Sequence, residues 1–232
     1  MYTFLKEAIK ENYDPYKLLR QTERGRVEVI HHRESGKLYI LREYTGSGEA
    51  YEILKKIRCA NLPVIYECAE EDGRVLVLEE YVRGDNLQDL LLCGPLDVYE
   101  VRRIAAQLCN ALWVLHNSGL VHRDVKPDNV IMRGDSAILI DFDAARIYTE
   151  KKSADTHVLG TVGYASPEQY GFSQTDARSD IYSLGVLMNI MLTGEHPSVK
   201  MAGGRMGIII RRCTMTNSKQ RFRNVRQVRD LL

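Results

Sequence analysis

The spacing of apolar residues predicts strands in the first part of the chain and helices in most of the rest. An apolar side at helical spacing begins the chain, formed by Phe4, Leu5, Ala8 and Ile9. Asp14 and Pro15 should end this helix, because proline disfavours helical geometry at its own position and at the one before it. We expect the helix to pack on the first part of the chain or to dock a partner.

Alternation of apolar and polar residues follows over residues 16–42 and predicts strands joined by a hairpin turn at 34–37. The residues that should share strand faces are Val27 with Val29, and Leu38 with Ile40 and Arg42. Residues 46–58 read as a helix whose apolar side holds Tyr51, Ile53, Leu54 and Ile57. Two further strands, 62–67 and 74–78, flank an acidic turn at 70–73.

Helical patterns dominate after residue 85. A short helix at 86–93 ends at Gly94, and Asp97 with Glu100 predicts a capping box that opens a long helix ended by Gly119. Residues 181–192 are apolar on nearly every side, which predicts a buried central helix ended by Gly194. The apolar residues Ile208, Ile209, Val225, Val228 and Leu231 predict packed helices near the C-terminus.

Composition excludes several classes of protein. The 232 residues carry a net charge of +1, 44% hydrophobic residues and 27% charged residues, as in an ordinary globular domain. The five cysteines are scattered, which predicts reduced thiols and a cytoplasmic location. No apolar run of about eighteen residues occurs, so we expect no membrane span.

The loop at residues 121–129 holds the residues best suited to chemistry. Asp124, Lys126 and Asn129 place a carboxylate, an ammonium and an amide within six residues, between a helical run and a short strand. The carboxylate can accept a hydroxyl proton, the lysine can face a moving phosphoryl group and the amide oxygen can bind a metal. Asp141 follows the strand-like run 137–140 and supplies a second metal-binding carboxylate.

Four motifs in this order resemble the serine/threonine protein kinase family, most closely its bacterial branch. They are the loop with its His122-Arg123-Asp124 start, Asp141-Phe142, the segment 160–168 and the segment 179–185. The resemblance implies an α+β fold with two lobes: a small β-rich lobe at 1–78, a hinge at 79–84 and a mainly helical lobe at 85–232. It also implies ATP and Mg²⁺ as cofactors and a protein as substrate.

The resemblance assigns roles to residues of this chain. Asp124, Lys126, Asn129 and Asp141 would be catalytic, with Asn129 and Asp141 on the metal and Thr161 bracing Asp124. The nucleotide would contact Gly25, Val27, Ile40, Arg42 and Ile131, and the hinge backbone at Glu80 and Val82. Gly25 is equally well explained as part of an ordinary turn.

The first part of the chain departs from the family pattern at several positions. Arg20 and Thr22 stand where the first two glycines of the phosphate loop belong. Arg42 replaces the lysine that grips phosphate, and its larger planar group is aimed differently. Ala50 occupies the position of the helix glutamate, although a shifted helix start would restore Glu49. Glu79 lies at a position that is more often apolar, and Arg42 is a candidate partner for its carboxylate.

The second part also carries residues of structural or regulatory interest. Asp143 replaces the glycine that follows Asp141-Phe142, and we interpret it as a solvated turn residue in preference to an added carboxylate near the metal. The polar stretch 144–159 resembles an activation segment, with Thr149, Ser153 and Thr156 as possible phosphorylation sites and Arg123 as the phosphate receptor. Glu168 should pair with Arg221, and Asp180 should cap the following helix and hold the catalytic loop.

The last thirty positions contain many basic residues and one acid, Asp230. The basic residues are Arg205, Arg211, Arg212, Lys219, Arg221, Arg223, Arg226 and Arg229. A solvated helix face is one interpretation and a surface for an acidic partner is another. Because aromatic residues are not interleaved with these charges, we expect no nucleic acid partner.

The leading hypothesis is an ATP- and Mg²⁺-dependent serine/threonine protein kinase with a weakened hold on nucleotide. The alternative is a pseudokinase that binds or scaffolds without efficient transfer, since the departures concern the nucleotide grip and the conformational switch. A kinase acting on small molecules is a third hypothesis. The segment 160–168 argues against it, because it resembles the peptide-binding side of protein kinases.

Overall fold

The computed structural model describes residues 1–23, 25–148, 163–170 and 176–232. It divides into two compact units. The first unit comprises Met1–Arg58 and Pro63–Val82, and the second comprises Cys59–Leu62 and Arg83–Leu232. The division after Val82 falls inside the segment 79–84 that was predicted to be a hinge.

The first unit is a five-stranded antiparallel sheet with two helices. The strand order is β1-β2-β3-β5-β4. The strands are β1 (Tyr13–Thr22), β2 (Gly25–His32), β3 (Leu38–Thr45), β4 (Ile65–Glu71) and β5 (Arg74–Glu80), and the helices are α1 (Tyr2–Asn12) and α2 (Glu49–Leu54). Pro15 lies in β1, an edge strand, where a missing N–H can face away from the sheet.

Helix α1 packs on one face of this sheet. Tyr2 and Ile9 are buried with Ile30, Leu41 and Leu76 in a shared apolar cluster, and Leu5 packs against it. The prediction that Phe4 belongs to the packed side is wrong, because its side chain is 76% exposed. Phe4 lies about 100° around the helix from Leu5, and the buried stripe runs through residues 2, 5 and 9 instead.

Helix α2 is shorter than the predicted 46–58, since it ends at Leu54. Tyr51 and Leu54 are buried, whereas Ile53 and Ile57 are only half-buried. After Lys55 the backbone bonds tighten to a spacing of three residues, at Lys56 and Ile57. A short helix with little apolar contact beyond Leu54 has little packing energy to extend it.

The second pair of strands differs slightly from the prediction. Strand β5 continues through Glu79 and Glu80, beyond the predicted end at 78. The predicted acidic turn is tighter, because Glu70 and Glu71 belong to β4. Asp72 and Gly73 both have positive φ, 51° and 71°, as a two-residue hairpin turn of the primed type requires.

The second unit is mainly helical. Its helices are α3 (Leu87–Leu91), α4 (Val98–Asn117), α5 (Ala177–Thr193), α6 (Gly204–Cys213) and α7 (Val225–Arg229). Its short strands are β6 (Asp85–Asn86), β7 (Leu120–Val121), β8 (Val130–Arg133), β9 (Ser136–Leu139) and β10 (Arg146–Ile147). The strands form a three-stranded sheet, β6-β8-β9, and a pair, β10-β7.

The predicted core helices of this unit are confirmed. The side chain of Asp97 accepts from the N–H of Glu100, whose carboxylate accepts from the N–H of Asp97, which completes the capping box of α4. Helix α5 is buried around most of its circumference and ends at Gly194 with φ of 73°. No helix in the described part of the chain is both long and apolar enough to cross a membrane.

The C-terminal helices pack differently from the prediction at two positions. Ile209, Val225 and Val228 are buried as predicted, but Ile208 is 72% exposed and Leu231 is 39% exposed. Ile208 follows the buried Gly207, whose added Cβ would lie 2.0 Å from the carbonyl oxygen of Ala202. That close approach turns the Gly207 side of α6 inward and leaves Ile208 at the surface.

Candidate active site

The loop that carries Asp124 is held in place by α5. Asp180, inside that helix, accepts from the backbone N–H groups of His122 at 2.9 Å and Arg123 at 2.7 Å. The predicted grip on the loop is therefore present. The predicted capping role is wrong, because Asp176 precedes α5 and its side chain caps the helix at Arg178.

Two further side chains brace the same loop, and neither was found from the sequence. His116, near the end of α4, lies with Nε2 at 2.8 Å from Oδ2 of Asp180. Gln169 is buried and donates from Nε2 to the carbonyl oxygen of Arg123 at 3.0 Å. A single histidine and a single glutamine far along the chain carry no local pattern that would reveal these contacts.

Asp124, Lys126 and Asn129 come together in one cluster. Nζ of Lys126 lies 2.9 Å from Oδ2 of Asp124. Nδ2 of Asn129 donates to the same Oδ2 at 2.8 Å and to the carbonyl oxygen of Asp124 at 2.9 Å. The side chains of Asp124 and Lys126 keep 16% and 18% of their surface exposed, so both remain accessible to a reactant.

Asp141 is tied to this cluster through the backbone. The N–H of Ile140, the preceding residue, donates to the carbonyl oxygen of Asn129 at 2.9 Å. Asp141 has φ of 65° and Arg123 has φ of 69°, the left-handed region that side chains other than glycine rarely adopt. Such backbone strain is kept where the surroundings enforce it, and it concentrates at functional sites.

The oxygen donors of this cluster fit a magnesium ion. Because Nδ2 of Asn129 is directed at Asp124, the amide oxygen is the atom that can bind a cation. Together with the carboxylate of Asp141, it forms a hard-oxygen set of the kind that Mg²⁺ takes alongside phosphate oxygens and water. Among the described residues, no three His, Cys, Asp or Glu side chains form a metal cage, and this type of magnesium site requires none.

Asp143 lies in the turn that follows Asp141. It is exposed, and the N–H of Ala145 closes the turn onto the carbonyl oxygen of Phe142 at 3.0 Å. The N–H of Asp143 points to Oδ1 of Asp141 at 3.4 Å. These positions agree with the interpretation of Asp143 as a solvated turn residue.

Burial and hydrogen bonding together set the protonation of the two groups behind the loop. Complete burial lowers the pKa of His122 and outweighs the nearby carboxylates of Asp180, Asp124 and Asp141. Burial alone would raise the pKa of Asp180, but the hydrogen bond and charge of His116 and the N–H of Arg123 hold it below its usual value. The loop is therefore built around a neutral His122 and an ionised Asp180.

We expect the free energy of unfolding to fall between pH 7.5 and pH 5.5 through His122. Its pKa is depressed in the folded protein, so below about pH 6.5 the unfolded chain gains a proton that the folded protein does not. Asp180 contributes in a lower range, below its ordinary value of 3.8. Urea unfolding at both pH values measures the effect, and His122→Asn should reduce the difference. An equal pH dependence in the variant would contradict this assignment.

In the first unit, three residues predicted to bind nucleotide share one face of the sheet. Val27 lies opposite Arg42 in the β2–β3 ladder, and Ile40 is two residues before Arg42 on β3. This is the face opposite to the one covered by α1. The guanidinium of Arg42 suits phosphate, so the donor chemistry of this face fits a nucleotide.

Arg42 is paired with Glu79, as hypothesised from the sequence. Nε and Nη2 of Arg42 each lie 3.1 Å from Oε1 of Glu79, and both side chains are buried. Glu49 is exposed at the first position of α2, and Ala50 follows it. The acid beside Arg42 thus comes from β5.

Gly25 opens β2 and has a structural reason to be glycine. A Cβ there would lie 2.2 Å from the carbonyl oxygen of Glu43 and 2.6 Å from Cα of Tyr44, across the ladder. Gly25 pairs with Thr22 where β1 and β2 meet, which agrees with the turn interpretation, and the phosphate-loop interpretation stays a prediction. The close approach of β3 alone accounts for the missing side chain.

The remaining predicted nucleotide residues are Glu80 at the end of β5, Val82 just beyond it and Ile131 within β8. The N–H of Glu80 donates to the carbonyl oxygen of Val64 at 2.8 Å, and Val82 ends the first unit. Ile131 is on β8 of the second unit, between Asn86 and Ile138 in the ladder. Thr161 and the candidate phosphorylation sites Thr149, Ser153 and Thr156 lie outside the described residues.

Glu168 and Arg221 form the predicted ion pair. Nη1 and Nη2 of Arg221 lie 2.6 and 2.9 Å from the two carboxylate oxygens of Glu168, a two-pronged geometry. Burial alone would raise the pKa of Glu168, but the hydrogen bonds from Arg221 and Ser179 keep it below its usual value. The pair joins the segment after residue 162 to the C-terminal region.

Comparison with known proteins agrees with this architecture. The model of the protein kinase domain family matches residues 25–230. Serine/threonine-protein kinase A of Synechocystis is 39% identical over 51% of the chain, serine/threonine-protein kinase pkn2 of Myxococcus xanthus 32% over 74%, and serine/threonine-protein kinase PknB of Mycobacterium tuberculosis 39% over 52%. The aligned parts cover 25%, 21% and 20% of those proteins, so the chain corresponds to a quarter of their length or less.

The family match extends over most of the chain, and the β-sheet unit followed by a helical unit has the α+β character predicted for it. The chain therefore belongs to the protein kinase domain family, and is of the bacterial serine/threonine type.

Proposed function

We propose that this chain transfers the terminal phosphoryl group of ATP to serine or threonine hydroxyls of a protein substrate, with Mg²⁺ as the metal. The observation that carries the proposal is the cluster of Asp124, Lys126 and Asn129, in which the ammonium and the amide both lie within 2.9 Å of Oδ2 of Asp124. A base, a cation and a metal ligand in one rigid loop are the parts that phosphoryl transfer needs.

Each residue has a chemical task in this proposal. Asp124 orients the substrate hydroxyl and accepts its proton, and Lys126 steadies the charge of the group in transfer. Asn129 and Asp141 hold the magnesium ion, which when bound would neutralise phosphate charge. Asp180 keeps the loop backbone in register, so that Asp124 stays positioned for the hydroxyl.

The proposed hold on nucleotide is weaker than in a kinase with a complete glycine loop. Arg20 and Thr22 carry exposed side chains on β1 at positions where the family has glycines. Side chains there limit how closely backbone N–H groups approach phosphate. We therefore expect a high dissociation constant for ATP alongside an intact set of groups for the chemical step.

The second candidate is a pseudokinase that binds a partner without efficient transfer. It is favoured by the buried bond between Arg42 and Glu79, which engages the cation assigned to phosphate. The residues proposed for the chemical step argue against a pseudokinase, because a pure binding module has no physical need for Asp124, Lys126, Asn129 and Asp141 together.

An acidic partner segment is part of the proposal. On α6 the exposed residues are Arg205, Ile208, Arg211 and Arg212. An apolar side chain among arginines suits a peptide with acidic residues around an apolar one.

Thermal unfolding with and without Mg²⁺ and ATP tests the proposed function. Ligand at about 100 times its dissociation constant should stabilise the fold by about 2.7 kcal/mol, which raises the melting temperature by roughly 5–10 °C for a domain of this size. The shift should require Mg²⁺ and should be lost in Asp141→Asn, because the amide removes the charge that binds the metal.

Transfer of radiolabelled phosphate to the chain itself or to a generic protein is the second step. Binding without any transfer would favour the pseudokinase. The absence of a thermal shift at millimolar ATP would argue against the whole proposal.

A further inference from the structure

The pair of Arg42 and Glu79 occupies a fixed position within the sheet. Strands β3 and β5 are neighbours, and their ladder pairs Ile40 with Glu79 and Arg42 with Val77. Arg42 and Glu79 are therefore diagonal neighbours on one face, a spacing that long side chains can bridge. The ladder runs without a bulge from Tyr39 to Thr45, so the backbone distance between the two residues cannot change without breaking the sheet.

Burial makes the pair obligatory. The side chains of Arg42 and Glu79 keep only 7% and 4% of their surface exposed. A buried charge that loses its partner is strongly destabilising, whereas the pair offsets part of the desolvation cost of each member. Glu79 therefore helps to hold the guanidinium of Arg42, whose Nε and Nη2 each lie 3.1 Å from Oε1.

Helix α2 offers no such anchor in the described residues. In protein kinases generally, the phosphate-gripping lysine pairs with a glutamate of this helix, and moving the helix controls activity. Here Ala50 is half-buried without a carboxylate, and the two acids of the helix, Glu49 and Glu52, are both exposed. Glu67 of β4 is bonded to Lys55 at 2.6 Å, so that carboxylate is engaged elsewhere.

We infer that Glu79 is the positioning residue for Arg42 in nucleotide binding, so that strand β5, and not a carboxylate of helix α2, supplies the acid that sets the phosphate grip. This inference rests on the proposed function, because it assigns Arg42 to the phosphates of ATP. It places the acidic anchor of the grip within the sheet, on the strand next to Arg42.

The test measures the dissociation constants of ATP, ADP and adenosine, each with Mg²⁺, by calorimetry on the full chain. Glu79→Gln should weaken ATP and ADP binding by roughly tenfold, a typical size for the coupling of contacting residues. Adenosine, which has no phosphate, should bind equally well to both proteins. The matched control Glu49→Gln should leave all three dissociation constants unchanged.

Two further variants separate positioning from folding. In an Arg42→Met background, Glu79→Gln should have no additional effect on ATP affinity, because its effect passes through Arg42. Glu79→Asp keeps the charge but shortens the side chain, and it should weaken ATP binding less than Glu79→Gln does. If Glu79→Gln does not fold, Glu79→Asp takes its place in the binding measurements.

The possible outcomes are distinct. If the unaltered protein binds ATP and Glu79→Gln binds it equally well or more tightly, the inference is overturned while the proposed function stands. Equal losses for ATP and adenosine would also overturn it, since they indicate general damage to the fold. If Glu49→Gln weakens ATP binding, the anchor lies on α2 after all. No binding of ATP to the unaltered protein would overturn both the inference and the proposed function.

Discussion

Replacing Asp124 with asparagine should lower the rate of phosphoryl transfer by about 10²–10⁴-fold. The amide has the shape of the carboxylate but cannot accept the hydroxyl proton, and it removes the negative partner of Lys126 at 2.9 Å. Mg²⁺ and ATP should still bind, because the groups assigned to them are unchanged. Single-turnover transfer of radiolabelled phosphate measures the rate, and the thermal shift measures binding.

Asp128→Asn is the matched control for that experiment. Asp128 lies in the same loop and its side chain is exposed. Asn86 donates to the backbone carbonyl oxygen of Asp128, a bond that the substitution leaves in place. This variant should transfer phosphate at close to the rate of the unaltered protein. Equal losses in both variants would mean that the loop responds to charge in general, and an unimpaired Asp124→Asn would remove Asp124 from the chemical step.

Replacing Arg221 with methionine should lower the free energy of unfolding by about 3–5 kcal/mol, the range for breaking a buried ion pair. Arg221 is 2% exposed, and its guanidinium also donates to the carbonyl oxygens of Met215, Arg178 and Thr216. Methionine removes the arginine donor from all of these carbonyl groups and from the carboxylate of Glu168, which keeps its hydrogen bond from Ser179. The single tryptophan, Trp113 on α4, can report urea unfolding of the second unit.

Two variants check this interpretation. Arg223→Met changes an exposed arginine of the same segment and should alter the free energy of unfolding by no more than about 0.5 kcal/mol. Adding Glu168→Gln to Arg221→Met should recover part of the loss, because the buried carboxylate no longer carries an unpaired charge. A loss below about 1 kcal/mol in Arg221→Met would mean that the pair contributes little to the fold.

Predictions from the sequence succeeded where a signal lies within a few neighbouring residues. The capping box at Asp97 and Glu100 depends on a spacing of three residues, and the helix end at Gly194 depends on one backbone angle. Errors arose where exposure depends on packing against distant segments. Phe4 and Ile208 both fit an apolar stripe, yet both lie at the surface because the neighbouring elements cover a different side of their helices.

The sequence by itself indicated the family of this protein and the residues proposed for its chemistry. Asp124, Lys126 and Asn129 lie within six residues, so local geometry alone brings them together around the shared oxygen of Asp124. Only the tertiary structure decided how these groups are held. Asp180 and Gln169 contact the loop of Asp124 from 57 and 46 positions away, and His116 contacts Asp180 across 64 positions. Glu79 contacts Arg42 across 37 positions. Such contacts are made by strand pairing and helix packing, and no local pattern of residues encodes them.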